Sequence, residues 1–561
     1  YIANSTAQKT KLYDMYARFF RWASNRLADN GILTFVTNSS FLEARAFDGF
    51  RKVVAEEFND IYVVDLGGDV RKNPKLSGTK NNVFGIQTGV AISFMVKTRR
   101  DAMRSKSNKP KNAKTIDANA KNRDAKHRVS TCKIDYARRP EMELAIDKLA
   151  FLRTVKFKEI DFDRIMPDKN HNWLNIADND FDELLPLANK ETKLAKSQKE
   201  EQAVFKLFSN GVVTARDEWV YDFNEQNLIE KVNFFCEFYQ REQTRWGKSE
   251  QKLSINHFVD RSIKWTSELE AHLQKSSTLE FAIRFARESL YRPFIKRFFY
   301  FDRIIVHRIY QQGELFQFGK TDTNKLICFS GLSSSKPFQS LITQYVAGFD
   351  FLEKTQCLPL YRYDKQGNST DNITDWGLNQ FRTHYQNDSI TKEDIFHYTY
   401  AVLHHPDYRE KYALNLKREF PRLPFYEDFP QWVTWGKQLM DLHLNYETVQ
   451  KYALKRFDNK LASNKANKPK LKADKDKGEI QLDEITTLQG IPFEAWEYKL
   501  GNRSALEWIL DQYKEKKPRD QTIAEKFNTY RFADYKESVI ELLQRVCTVS
   551  VETMAIIGKM P

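Results

Sequence analysis

The chain is predicted to be α/β, with a partial doubly wound sheet followed by a mixed α/β domain. Between residues 13 and 97, helix-period and strand-period segments alternate in the order helix, strand, helix, strand, loop, strand. Half of a doubly wound sheet is built in that order. From about Phe205 the pattern changes to short helix-like and strand-like pieces rich in Trp, Tyr and Phe. Aromatics are abundant (10 Trp, 25 Tyr, 41 Phe) while glycine is scarce at 20. That composition belongs to packed modules rather than to a fibre or a disordered chain. A length of 561 residues allows roughly two to four domains.

Tyr13 to Leu27 has helical periodicity, and Asn30-Gly31 is expected to cap its end. Ile32 to Thr37 reads as a strand. Ser39 or Ser40 can cap a second helix that carries Phe47, Phe50, Val53, Val54 and Phe58 on one face. Ile61 to Leu66 and the apolar run Val90 to Val96 read as buried strands. Just before the latter, Asn81-Asn82-Val83-Phe84-Gly85-Ile86-Gln87-Thr88-Gly89 sets one aromatic, Phe84, in a polar, glycine-containing turn. An aromatic held there can be a stacking platform for a planar ring, or it can simply cap a core.

Residues 98 to 130 carry 11 Lys or Arg against Asp101, Asp117 and Asp124 and have almost no large apolar groups. Such a segment cannot bury enough surface to order itself and is expected to be an inserted loop. It accounts for +8 of the formal +14 charge, so the remaining +6 points only weakly to a polyanionic partner. Asn459 to Gly478, with seven lysines, reads as a second linker. Five cysteines contain no C-x-x-C pair, which argues against zinc fingers and dithiol redox sites. No signal peptide or apolar run of membrane length is present, and a reducing cytoplasm fits. His404-His405, followed by Pro406 and lacking an i, i+4 carboxylate, reads as a helix end or loop rather than a metal site.

Glu141 to Leu152 reads as a helix with Leu144, Ile146, Leu149 and Phe151 partly periodic. Thr214 to Tyr221 and Lys325 to Phe329 read as strand edges. Phe223 to Gln240, Ser276 to Ser289, Lys392 to Val402 and Trp435 to Leu444 read as helices.

Several segments carry a resemblance. Phe35-Val36-Thr37-Asn38-Ser39-Ser40-Phe41-Leu42, Asp65-Leu66-Gly67-Gly68-Asp69-Val70-Arg71 and Lys75-Leu76-Ser77-Gly78-Thr79-Lys80 resemble the Type ISP restriction-modification enzymes. So do Tyr291-Arg292-Pro293-Phe294, Thr355-Gln356-Cys357, Asn372-Ile373-Thr374-Asp375-Trp376, Tyr400 to Pro406, Gly490-Ile491-Pro492 and Leu500 to Trp508. These are single-chain bacterial anti-phage proteins that string together a nuclease, a translocating ATPase, an adenine methyltransferase and a target-recognition domain. The similarity covers nearly the whole chain apart from the two lysine-rich inserts. It implies that residues 1–97 are the second half of a class I methyltransferase core and 98–130 the basic insert. Residues 131–204 would end that core and form a connector. Residues 205–458 and 479–561 would form the target-recognition domain, interrupted by the linker 459–478. In the family the strand ending near Lys97 continues after a short turn into a partner like Cys132 to Tyr136.

The resemblance implies sequence-specific recognition of double-stranded DNA. The intact enzyme would methylate adenine N6 with S-adenosylmethionine and restrict unmodified phage DNA. Adenine N6 is buried in a duplex, so the base must be extruded into a pocket. Phe84 would stack on that base, with Lys80 to Gln87 as the surrounding loop, and Phe19 would line the cofactor adenine. The recognition domain would grip the major groove, with candidate DNA contacts on polar loops at Arg216, Gln243, Arg245, Lys336 and Asn372. The tetrapeptide Asn-Pro-Pro-Tyr and a Walker A sequence are absent from these 561 residues. Asp65 to Val70 imitates a cofactor turn, but Arg71-Lys72-Asn73-Pro74 follows where a helix N-terminus is needed. The chain is therefore expected to be a C-terminal fragment or truncated product that does not hold the cofactor by itself. The Ile32 to Thr37 strand is then expected at an open sheet edge, because the missing half would carry its neighbouring strands. The resemblance implies as partners of the chain an upstream methyltransferase half and nuclease and translocase modules, in the same or a separate chain. A stand-alone DNA-specificity subunit is the alternative. An RNA-binding or structural protein would leave the ordered set of motifs unexplained.

Overall fold

The computed structural model describes residues 1–5, 14–70, 79–98, 132–168, 170–174, 179–249, 254–316, 324–459 and 468–561. The basic insert 98–130 therefore lies outside the described residues except for Thr98. The chain divides into two compact units, Tyr1–Asp178 and Asn179–Pro561.

In the first unit, helix α1 (Met15–Arg26) is followed by strand β1 (Gly31–Asn38), the short helix α2 (Ser40–Glu43) and helix α3 (Asp48–Glu57). Strands β2 (Asp60–Gly67), β3 (Val90–Lys97) and β4 (Lys133–Arg138), helix α4 (Ala145–Thr154) and strand β5 (Asp163–Ile165) complete it. Among the described residues the sheet order is β1-β3-β2-β4-β5. Strand β3 is antiparallel to both neighbours, and β4 runs parallel to β2. The expected β3–β4 pairing does not form: β4 lies on the far side of β2. Strand β1 occupies an edge, with Ile32 and Val36 exposed.

The expected second helix is broken. Ala44 turns extended after α2, and a 3₁₀ turn (Arg45–Phe47) precedes α3. Arg51, fully buried, takes up the freed carbonyls: Nη1 donates to Phe41 O (2.8 Å) and Ala44 O (3.0 Å). Phe47, Phe50, Val53, Val54 and Phe58 are all buried as expected. Helix α1 ends at Leu27, which is extended, so Asn30-Gly31 is not its cap. Gly31 instead opens β1, where a Cβ would stand 2.7 Å from the Leu27 side chain.

Helix α4 inverts the expected pattern. Leu144, Ile146 and Leu149 are exposed, and the residue it buries is Lys148. The helix is oriented by a polar anchor, since Lys148 Nζ donates to Asn81 O at 2.8 Å.

The second unit is built around a four-stranded sheet in the order Ser340–Thr343, Leu326–Phe329, Gln356–Pro359, Ser209–Asn210. Lys325 to Phe329 is thus an interior strand rather than an edge. Successive residues serve opposite cores: Leu326 and Cys328 join one apolar cluster, Ile327 and Phe329 the other. Both faces are covered, which is why this strand reads as one continuous apolar run. Helices Lys392–Val402 and Phe429–Leu444 pack on one side. The helix expected at 276–289 is a 3₁₀ turn (Ile283–Phe285) and a strand (Ala286–Arg292) that pairs with Ile295–Tyr300. Tertiary pairing overrides local propensity there, and the connecting turn needs Phe294 at φ +61°. Thr214 to Tyr221 is a strand edge only at its last residue: Ala215 at φ +56° turns the chain into a short helix, Asp217–Val220, and Tyr221–Asp222 then pairs with Phe298–Phe299 at the edge of a sheet.

Two expected boundaries shift. Residues 179–204 belong to the second unit, where Leu185–Pro186 pairs with Arg422–Leu423 and Val204 is fully buried. The lysine-rich stretch is folded from residue 468: Lys472–Asp474 is a strand of a four-stranded sheet, and Leu471 is buried. Residues 460–467 lie outside the described residues. The long helix Phe532–Ile557 contributes to the same buried core as residues 207–357, so 205–458 and 479–561 form one body.

His404 and His405 are buried at the end of Lys392–Val402, as expected for a helix end. A third histidine, His443, cross-links helices: its Nδ1 lies 2.7 Å from Tyr400 Oη and its Nε2 2.9 Å from Thr553 Oγ1. Tyr400 Oη accepts from Ile342 N (3.0 Å). The Tyr400 hydroxyl hydrogen finds an acceptor only if Nδ1 is unprotonated and Nε2–H donates to Thr553.

Two predictions follow from this packing. A Cβ on Gly436 would stand 1.9 Å from the His397 carbonyl oxygen at the helix crossing. Gly436→Ala should therefore destabilise by about 1–3 kcal/mol in urea unfolding, despite gaining about 1 kcal/mol of helix propensity. Burial, reinforced by the nearby Arg409 charge, lowers the His443 pKa to about 3. With the folded pKa depressed, its stabilisation is complete above the unfolded value and is lost as pH falls towards 3. Acidification from pH 7.5 to 5 should cost about 2 kcal/mol through His443 alone. His443→Asn should flatten the pH dependence of the unfolding free energy by that amount.

Candidate nucleic-acid interface

The loop between β2 and β3 is organised by two buried asparagines. Asn81 Nδ2 donates to Met142 O (2.8 Å) and Glu143 O (2.9 Å). Asn82 Nδ2 donates to Gly68 O (3.2 Å) and Thr88 O (2.7 Å), while its Oδ1 accepts from Phe84 N (2.9 Å) and Ile86 N (3.3 Å). All four hydrogen-bonding positions of the Asn82 amide are thus used to hold one loop. A buried amide could not leave them empty without cost. Gly85 turns the chain at φ +65°.

What this frame presents is Phe84, 62% exposed, with Ile86 at 44% beside it in sequence. Lys80 and Gln87 are exposed on the same loop. Phe84 is therefore not a core cap. Phe20 packs against Phe35, Phe41 and Phe50, whereas Phe19 is 53% exposed in a stripe with Met15 and Trp22 on α1. Of the adjacent pair, Phe20 is the core residue.

The Asp65 to Val70 segment does not fit a cofactor cradle. Gly67 and Gly68 have φ of +60° and +76°, but a Cβ on Gly68 would stand 2.6 Å from Asn81 O. Protein backbone fills the space where a ligand would approach. The Asp65 carboxylate is occupied by Gly67 N (2.9 Å) and Tyr136 Oη (2.9 Å), and burial raises its pKa.

In the second unit, two proposed DNA contacts are overturned by burial. Arg216 donates through Nη1 to Ile305 O (2.5 Å) and through Nη2 to Thr266 Oγ1 (2.8 Å). It lies against Phe235, and burial lowers its pKa to about 9. Asn372, with no exposed surface, accepts from Leu207 N (2.8 Å) and donates to Leu207 O and Pro359 O (both 2.9 Å). Neither side chain can reach a base. Gln243 is half-buried and bonds Ser277 O (3.1 Å). Arg245 is half-exposed, pairs with Glu242 and covers Phe258. Gln243 and Arg245 are two apart on helix Glu225–Lys248 and so do not share a face. Lys336 is half-buried with Nζ over the Trp508 ring at 5.5 Å.

One exposed polar feature was not anticipated from sequence. Strands Tyr361–Tyr363 and Ser369–Asp371 form a ribbon that pairs with no third strand among the described residues. Its tip borders a cleft of about 1230 Å³. The signal was present as Asp364-Lys365-Gln366-Gly367-Asn368 between two short alternating runs.

The model of the Type ISP C-terminal specificity domain matches residues 203–542. A cryo-EM structure of a DrdV–DNA complex is 46% identical with a TM-score of 0.84; it is matched over 100% of this chain and 53% of its own. A nuclease-deletion mutant of the Type ISP restriction-modification enzyme LlaGI, in complex with a DNA substrate mimic, is 28% identical with a TM-score of 0.79, over 100% of this chain and 49% of its own. The ATP-dependent Type ISP enzyme LlaBIII bound to DNA is 26% identical with a TM-score of 0.78, over 100% and 35%. The chain thus spans about half or less of these structures, and no curated protein matches it significantly. With more than half of its length matched by the specificity-domain model and all of it aligned with these structures, the chain belongs to the Type ISP restriction-modification enzymes.

Proposed function

We propose that this chain recognises a specific duplex DNA sequence within a Type ISP enzyme that methylates adenine N6 and restricts unmodified DNA. The observation that carries this reading is the match of the whole chain, at 46% identity, to a structure determined with DNA bound. The division of labour follows the two units. The second reads sequence. The first, through Phe84 on its fixed loop, offers a face on which an extruded adenine stacks, with Lys80 and Gln87 flanking it.

S-adenosylmethionine is the methyl donor of such an enzyme. Within this chain Phe19 is the residue proposed to pack against it, and the 65–70 turn is not. The alternative is a specificity subunit without chemistry of its own, and the coding sequence upstream of residue 1 distinguishes the two. Among the described residues no helix is long and apolar enough to cross a membrane. A cytoplasmic location is part of the proposal, in keeping with five free cysteines and a DNA partner.

Duplex affinity should fall steeply as salt rises, because each neutralised phosphate releases counterions. A fluorescence-anisotropy titration at several salt concentrations reads the slope, and salt-independent affinity would count against a DNA partner. Phe84→Ala should leave the melting temperature unchanged, since the ring is mostly exposed. In the intact enzyme it should remove stacking worth roughly 1–3 kcal/mol. The expected result is weaker 2-aminopurine fluorescence at the target adenine and slower methylation. Full flipping and an unchanged rate would leave Phe84 without this role.

A further inference from the structure

The ribbon Tyr361–Asp371 is built as a rigid probe. An isolated two-stranded hairpin is marginal in water; this one lies against helix Gln312–Leu315 along Tyr361–Tyr363, where Arg362 and Tyr363 are half-buried, while residues 369–371 and Asp364, Lys365, Gln366 and Asn368 are exposed. Hydrogen bonds order the exposed part. At the tip the Asp364 carboxylate accepts from Gln366 N, Asn368 N and Asn368 Nδ2, each at 2.9 Å. Gly367 makes the turn at φ +92°. At the base, buried Asn324 bonds both Tyr361 N (3.2 Å) and Tyr361 O (2.8 Å), and Lys392 bonds Asp375 (2.7 Å) beside the end of the ribbon. Side chains spent on holding a polar tip still, with none of it buried, fit a tip that makes its contacts elsewhere.

The surroundings suit one partner. Arg303, His307, Tyr310 and Glu314 face Lys365 and Gln366 across the cleft. Arg303 and Lys365 are balanced on the cleft by Glu314 and Asp364, and burial lowers the His307 pKa; the Asp364 carboxylate is engaged by its own turn, which leaves Lys365 as the charge carried at the tip. Tyr310 adds a 40% exposed ring. Three residues per strand at about 3.4 Å each give an arm of roughly 10 Å. A B-DNA major groove is about 8.5 Å deep and about 12 Å wide, and it admits a two-stranded ribbon.

We propose that this ribbon enters the major groove of the bound duplex and that Lys365 and Gln366 read base edges there, an inference that rests on the DNA-recognition reading above. Lysine can donate to guanine O6 and N7, and glutamine can pair with adenine N6 and N7. The wall carrying Arg303 and Tyr310 would then flank the sugar–phosphate backbone.

The test is selection from a pool of random 30-bp duplexes by the full 561-residue chain and by its Lys365→Ala and Gln366→Ala variants. Both positions are exposed, so thermal unfolding should be unchanged. The wild type is expected to enrich a motif. Each variant should lose preference at one or two adjacent base pairs and keep the rest, with at least a tenfold fall in the ratio of target to scrambled-duplex affinity. Variants that enrich the wild-type motif undiminished would overturn the ribbon's role while leaving DNA recognition intact. A uniform loss at every position would also overturn it, because phosphate contacts carry no sequence. Failure of the wild type to enrich any motif would overturn the DNA-recognition reading itself.

Discussion

Buried side-chain amides standing in for absent backbone partners set the geometry of both units. Asn82 closes the loop that carries Phe84 by serving two carbonyls and two amide N–H groups at once. In the second unit Asn372 joins Leu207 to Pro359 in the same manner. Irregular backbone cannot be buried unless its polar groups are satisfied. Each asparagine therefore licenses a loop to run through the interior, and everything presented by that loop depends on it.

This explains which parts of the structure could be read from sequence. Strands β1, β2 and β3 and the helix Lys392–Val402 were legible because their apolar spacing has only one satisfactory solution. The fate of polar residues was not. Arg216 and Asn372 look like surface readers in sequence, yet both are interior fasteners. Lys148 looks like the solvent side of an amphipathic helix and is its buried anchor. A hydrophobicity pattern states where apolar groups go. It does not state which polar groups have internal partners, because those partners are distant in sequence: residue 207 for Asn372 and residue 81 for Lys148.

The Phe84 loop is the case in which sequence and structure agree on an oddity. A phenylalanine next to an apolar strand would ordinarily be drawn inward. Here Val83, half-buried, joins the apolar group of Val64, Leu66 and Val90, and the Asn82 amide fixes the turn so that the next ring points outward. Burial of one neighbour is coupled to exposure of the other.

The independence of the ribbon's tip from the core has a consequence for redesign. Substitutions at exposed sites usually change stability by no more than about 0.5 kcal/mol, so Lys365, Gln366 and their neighbours are free to vary while the fold persists. Asp364, Gly367 and Asn368 hold the turn and are not free in this way. A tip with fixed corners and interchangeable faces can be rewritten without re-engineering the body that carries it.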